Sequence, residues 1–76
     1  MKVTVKDMKD LMLKIGMKKE IVEGLDPAKP LGKQGVDSVD CPAFMLAFEK
    51  KYAIKVSDTD NLRLKTINDF VAFVNR

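Results

Sequence analysis

Residues 35–40 read Gly-Val-Asp-Ser-Val-Asp: one small hydroxyl set between two carboxylates, directly after a glycine and ahead of an apolar run. Two kinds of chemistry fit such a place. Ser38 can cap a helix, because Ser and Asp side chains accept hydrogen bonds from the unpaired amides of a first helical turn. Its hydroxyl can also receive a group from another molecule. Self-activation is excluded, since the chain has no histidine and so no Ser-His-Asp or Cys-His unit, nor a histidine-based zinc site. Ser38 is thus a poor nucleophile by itself and a reasonable acceptor for another enzyme's transfer reaction. A helix start also suits an attached phosphate, because the helix dipole favours anions there by about 0.3–1 kcal/mol.

Other chemistry-bearing residues are sparse. Cys41 is the single cysteine; it can form no internal disulfide and packs readily as a small hydrophobe. The three Glu and eight Asp are scattered rather than set at the spacing of a metal loop, so no metal site is expected. The segment Leu31-Gly32-Lys33-Gln34-Gly35 carries two glycines but fits neither a phosphate-binding loop nor a dinucleotide fingerprint. The net charge of +3 invites a nucleic-acid reading, and its distribution opposes one. Residues 1–36 hold eight Lys against five acids, residues 37–62 three Lys against five acids, and residues 63–76 three bases against one acid. The serine therefore stands in the acidic part, and most of the lysines read as a solvated surface. Only Arg63 and Arg76 are arginines, which leaves few bidentate phosphate readers.

The elements that must position Ser38 follow from periodicity. Thr4-Val5-Lys6-Asp7 has the form of a capping box, and Val5, Met8, Leu11, Met12 and Ile15 continue at helical spacing to Gly16. Residues 17–36 are punctuated by Gly24, Pro27, Pro30, Gly32 and Gly35 and read as a long connection; Met17–Gly24 can form a short helical turn, with Ile21, Val22 and Leu25 pinning it to the core. From Ser38 to about Tyr52 the pattern is helical again, with Cys41, Phe44, Met45, Phe48 and Tyr52 on one stripe and Val39, Ala43, Leu46 and Ala47 widening it. A helix so apolar is either central to a bundle or offers an apolar face to a partner. Pro42 predicts an irregular first turn. Ser57 followed by acids caps a helix of one or two turns, and Thr66-Ile67-Asn68-Asp69 opens a last helix with the stripe Ile67, Phe70, Val71 and Val74. The expected fold is all-α: a small four-helix bundle of three main helices and one short one, with a long loop between the first two. Residues 1–76 are expected to form one domain. No run reaches the roughly 18 apolar residues of a membrane span, and the first residues lack a signal-peptide core, so the expectation is a cytoplasmic protein without stable membrane association.

In this setting Gly35-Val36-Asp37-Ser38-Val39-Asp40, continued by Phe44-Met45-Leu46-Ala47-Phe48-Glu49 and by Tyr52-Ala53-Ile54-Lys55-Val56, resembles the acyl carrier protein family over nearly the whole chain. Thr66-Ile67-Asn68-Asp69 is similar to the family's Thr-containing start of its last helix. The resemblance implies that a phosphopantetheinyl transferase joins 4'-phosphopantetheine from coenzyme A to Ser38 through a phosphodiester, with Asp37 and Asp40 recognised by the transferase. Acyl groups would then ride as thioesters on the arm's thiol and be presented to acyl-loading and acyl-processing enzymes of fatty acid, polyketide or related lipid biosynthesis. The protein itself would be a non-catalytic, monomeric handle. Phe44, Met45, Phe48, Leu62 and Ile67 are candidates for lining an acyl slot, although each also reads as ordinary core.

The sequence departs from the resemblance in its charges. Where many such carriers present glutamates along the second helix, Ala43, Lys50 and Lys51 stand here, with Glu49 retained; where an Asp-Leu-Gly often precedes the motif, this chain has Lys33-Gln34-Gly35. Val39, Ala43, Glu49, Lys50, Lys51 and Lys33 are the expected partner-docking positions, and their charge predicts a specialised partner set that pairs poorly with housekeeping fatty acid enzymes. A peptidyl or aminoacyl carrier has the same bundle and modified serine and remains an alternative; a basic nucleic-acid-binding bundle is a more remote one.

Overall fold

The computed structural model describes residues 2–36 and 39–75. Three of its helices begin with reciprocal capping boxes, two of them read as boxes from the sequence and the third, at Ser57, read there as a cap alone. The Thr4 hydroxyl accepts the Asp7 N–H at 3.3 Å while the Thr4 N–H donates to the Asp7 carboxylate at 2.9 Å, opening α1, Val5–Lys14. Ser57 and Asp60 do the same at 3.1 and 3.4 Å for α4, Asp58–Arg63. Thr66 and Asp69 exchange bonds of 3.0 Å each for α5, Ile67–Asn75. Each box satisfies two backbone donors that have no partner inside the helix. Gly16, at φ +96°, ends the first helix in a conformation that a side chain would strain.

The long connection is more ordered than its glycines and prolines suggest. It holds a short helix α2, Lys19–Glu23, and a 3-10 turn at Leu31–Lys33, so the described residues form five α-helices where four were expected. No side chain caps α2; what holds it is burial, with Val22 and Leu25 sunk in the core. The longest helix, α3, spans Asp40–Tyr52. Among the described residues there is no strand, and the all-α expectation holds.

α1 packs against α2, α3 and α5. Met8 and Met12 from α1, Phe48 from α3 and Ile67 from α5 are essentially removed from water, each burial contributing roughly 1.5–3 kcal/mol. Phe44 and Phe48 both meet Phe70 edge-on, with ring centroids 5.0 and 4.9 Å apart, the geometry that aligns a positive ring edge with a negative face. The two chain ends are tied by a side-chain amide: the Val3 N–H donates to Asn75 Oδ1 at 2.8 Å and Asn75 Nδ2 donates to the Val3 carbonyl at 2.9 Å. α4 differs from its neighbours in having no buried residue. Its attachment comes from the segments at its two ends.

Candidate functional site

The chain approaches the Asp-Ser pair through a loop fastened at several points. The Leu31 N–H donates to the Lys65 carbonyl at 2.9 Å, and the Asn68 N–H to the Pro27 carbonyl at 3.1 Å, so the loop lies against the joint between α4 and α5. Gln34 then closes the loop on itself through hydrogen bonds to Asp26, Lys29 and Pro30. Gly35 turns the backbone at φ +83°, and Val36 follows with its side chain in the core. Asp37 and Ser38, the acid and the hydroxyl singled out from the sequence, lie outside the described residues, as does the expected Ser38 cap.

Beyond them Val39 has helical angles and makes no side-chain capping bond. Asp40, half-buried, opens α3. Pro42 is the third residue of that helix, a first-turn position whose N–H would have no intrahelical acceptor, so its ring removes no bond there.

The faces of α3 separate sharply. Phe44 and Phe48 point into the core; Cys41, Met45 and Tyr52 are half-buried at its edge. Outward stand Val39, 72% exposed, and Leu46, 55% exposed, with exposed Pro42, Ala43, Lys50 and Lys51 around them. The Lys51 ammonium lies 6.0 Å from the ring centre of Tyr52, and Lys33 is exposed on the 3-10 turn. Glu49 behaves otherwise: half-buried, it accepts the Val56 N–H on Oε2 at 2.9 Å. The one acid of α3 past its first turn is therefore committed to the segment before α4.

Beside α3 opens a cleft of about 670 Å³. The loop lines it with Pro30, Leu31 and Val36, α3 with Cys41, Phe44, Met45, Leu46 and Glu49, and α4 and its following segment with Asn61, Leu64 and Lys65; Met12 and Phe70 also reach it. Of the slot candidates, Phe44 and Met45 are on its wall. Phe48 and Ile67 are not among its lining residues, because both are fully buried in the core. Leu62 is also absent from the lining: it is 72% exposed on the outer side of α4. Leu31, Val36, Leu64 and Glu49 line the cleft without having been expected there: the first three arrive by contact between segments distant in sequence, and Glu49 stands one helical turn after Met45 on the same face of α3.

The electrostatics of the surface are mild. The ion pairs among the described residues are Lys6–Asp10 at 3.1 Å and Lys19–Glu23 at 3.8 Å, both exposed and one helical turn apart, each contributing about 0.2–0.5 kcal/mol. Burial raises the Tyr52 hydroxyl above its ordinary range, and the nearby Asp7 charge adds to this. At Asp69 partial burial pushes upward, but hydrogen bonds from the Thr66 and Lys65 amides and the Thr66 side chain outweigh it, leaving the carboxyl below its ordinary value. Among the described residues no helix is long and apolar enough to cross a membrane.

The model of a family described as a phosphopantetheine attachment site matches residues 17–74. The chain is also 29% identical over 51 residues to the acyl carrier protein of Thermotoga maritima, an alignment that covers 67% of this chain and 63% of that protein. It thus spans less than two thirds of that relative's length.

Proposed function

The chain belongs to the family of phosphopantetheine-bearing carrier proteins, and from that premise we propose that Ser38 is its point of attachment and that its cargo is an acyl group. The family's cofactor is 4'-phosphopantetheine, which supplies a terminal thiol on which acyl groups are carried as thioesters. What supports Ser38 is its place: Asp37-Ser38-Val39-Asp40 feeds the longest helix within the segment that the family model matches. The residues suit the group. Ser38 supplies a hydroxyl for the phosphodiester, and the neighbouring cleft, at about 670 Å³, is within the usual range for a small-molecule site of about 300–1,000 Å³. Its walls of Leu31, Val36, Phe44, Met45 and Leu64 suit an alkyl chain.

In this reading the chain is a non-catalytic handle. Asp37 and Asp40 present the serine to a phosphopantetheinyl transferase that draws on coenzyme A. The exposed strip Val39, Ala43 and Leu46, with Lys50 and Lys51 beyond it and Lys33 on the adjoining loop, meets acyl-loading and acyl-processing enzymes of fatty acid, polyketide or related lipid biosynthesis. Because the Glu49 carboxylate is held by Val56, the docking helix offers apolar and cationic groups, which selects partners with acidic rims.

The test is the intact mass of the protein after incubation with coenzyme A, magnesium and a broad-specificity phosphopantetheinyl transferase. The native chain is expected to gain the mass of one phosphopantetheine and Ser38→Ala none. No gain on the native chain, or an equal gain on the variant, overturns the assignment. Loading the modified protein with fatty acyl or aminoacyl groups by the corresponding ligases then separates an acyl from an aminoacyl carrier.

A further inference from the structure

We propose that Gln34 is a positioning residue for the attachment reaction, its side-chain amide holding the loop from which the chain runs into Ser38. The inference rests on the assignment of Ser38 above and goes beyond it, since Gln34 carries none of the motif's chemistry. Gln34 Oε1 accepts the Asp26 N–H at 2.7 Å, and Gln34 Nε2 donates to the Asp26 carbonyl at 3.1 Å. The two peptide groups that flank one residue are thus gripped together, the donor of the first and the acceptor of the second. The same amide nitrogen reaches the Lys29 carbonyl at 3.0 Å and the Pro30 carbonyl at 3.4 Å. Only a primary amide can fill this place: it must accept one hydrogen bond and donate at least two.

What Gln34 grips is itself fixed. Asp26 shapes its own turn, accepting the Ala28 N–H on Oδ1 at 2.9 Å and the Lys29 N–H on its carbonyl at 3.1 Å. The intervening loop is fastened to the far side of the cleft by the Pro27–Asn68 and Leu31–Lys65 backbone bonds. Gln34 therefore couples the last residues before the motif to the α4–α5 joint. Gly35 turns at φ +83° immediately after it, and Val36 is buried. Only Asp37 and Ser38 separate Val36 from Val39, so the hold on Gln34 sets one of the two ends between which the serine is strung. Without the amide, the turn at residues 26–30 and the step through Gly35 lose their common anchor, and a transferase must select the competent arrangement from several. Such selection lowers apparent affinity by the competent fraction and leaves the bound reaction unchanged.

The experiment measures transfer from coenzyme A to the full chain at varied carrier concentration for the native protein, Gln34→Met and Gln34→Glu, well below their melting temperatures. Met keeps the length of the side chain and removes every hydrogen bond; Glu keeps an acceptor for Asp26 and turns oxygens toward carbonyls. The expected result is a KM for the carrier raised about tenfold in both, a population effect, with kcat within about twofold and, in Gln34→Met, the Asp26 amide exchanging faster with solvent. A native KM in either variant, whatever the exchange of that amide, overturns the inference while leaving Ser38 as the attachment point. A drop in kcat that follows the unfolded fraction also overturns it, because a purely structural role predicts that pattern. No modification of the native chain overturns the attachment assignment and the role of Gln34 with it.

Discussion

Glu49 was expected on the docking surface, and its geometry gives it a different task that can be measured. Its carboxylate accepts the Val56 N–H at 2.9 Å, just before a helix, α4, that buries no side chain of its own. A hydrogen bond to a charged acceptor contributes about 1.5–3 kcal/mol to stability, and half-exposure places this one at the lower end. Glu49→Ala loses it and regains a few tenths of a kcal/mol of helix propensity, for a net loss of about 1 kcal/mol. For a domain of this size that lowers Tm by about 4–8 °C. Glu49→Gln retains a carbonyl acceptor at the same reach, so its loss should be less than half as large, and its turnover by partner enzymes should match that of the native chain. Thermal unfolding followed by circular dichroism, with exchange of the Val56 amide read by NMR, is the assay. A Glu49→Ala Tm within about 1 °C of native would refute the structural role, and so would a Glu49→Gln variant that keeps its stability but loses partner turnover.

Further predictions concern stability and the outer face. Ala53 closes α3 at φ +51°, a conformation costing a non-glycine residue about 1–2 kcal/mol; Ala53→Gly is therefore expected to raise Tm in thermal melts, and a fall would show that the strain is absent. Leu46→Glu should leave stability within about 0.5 kcal/mol, because Leu46 is 55% exposed, while cutting turnover of the acylated protein by partner enzymes; unchanged turnover would remove Leu46 from the docking face. Asp69 has a carboxyl lowered by its bonds to Thr66 and Lys65, so its stabilising contribution is complete above the ordinary carboxylate value of about 3.9 and is lost as pH falls through the lowered one. The Tm difference between the native chain and Asp69→Asn should therefore be full at neutral pH and narrow below about pH 4; a constant difference down to pH 2 would contradict this.

Much of this was legible because it is local. The boxes opening α1 and α5 and the Ser57 cap of α4 each involve residues three apart; both boxes appear in the structure with both bonds made, and the cap proves to be a box as well. The core stripe of α3 could be read from spacing, since Phe44 and Phe48 must share a face. The outer face was only half legible: periodicity shows that Val39, Ala43 and Leu46 exceed what one core contact requires, but not whether neighbours cover them. Ala53 gave no signal, because the left-handed residue after a helix is usually recognised by its being glycine.

The loop before the serine marks where local reading stops and why. A segment with Pro27, Pro30, Gly32 and Gly35 tells against a long helix and says nothing of where its backbone groups find partners, although each must find one or face water. Here the partners are distant in sequence, at Lys65 and Asn68, or sit on the side chain of Gln34. The charge change at Lys33 is visible in the sequence; nothing local marks the amide beside it. Its contribution depends on Asp26 standing eight residues upstream with both peptide groups turned toward it, an arrangement that exists only once α2 and the α4–α5 joint have fixed the two ends of the loop. The proposed attachment is therefore divided between levels: the hydroxyl proposed to accept the cofactor is written in a short motif, and the hold of Gln34 on the loop before that motif is created by folding.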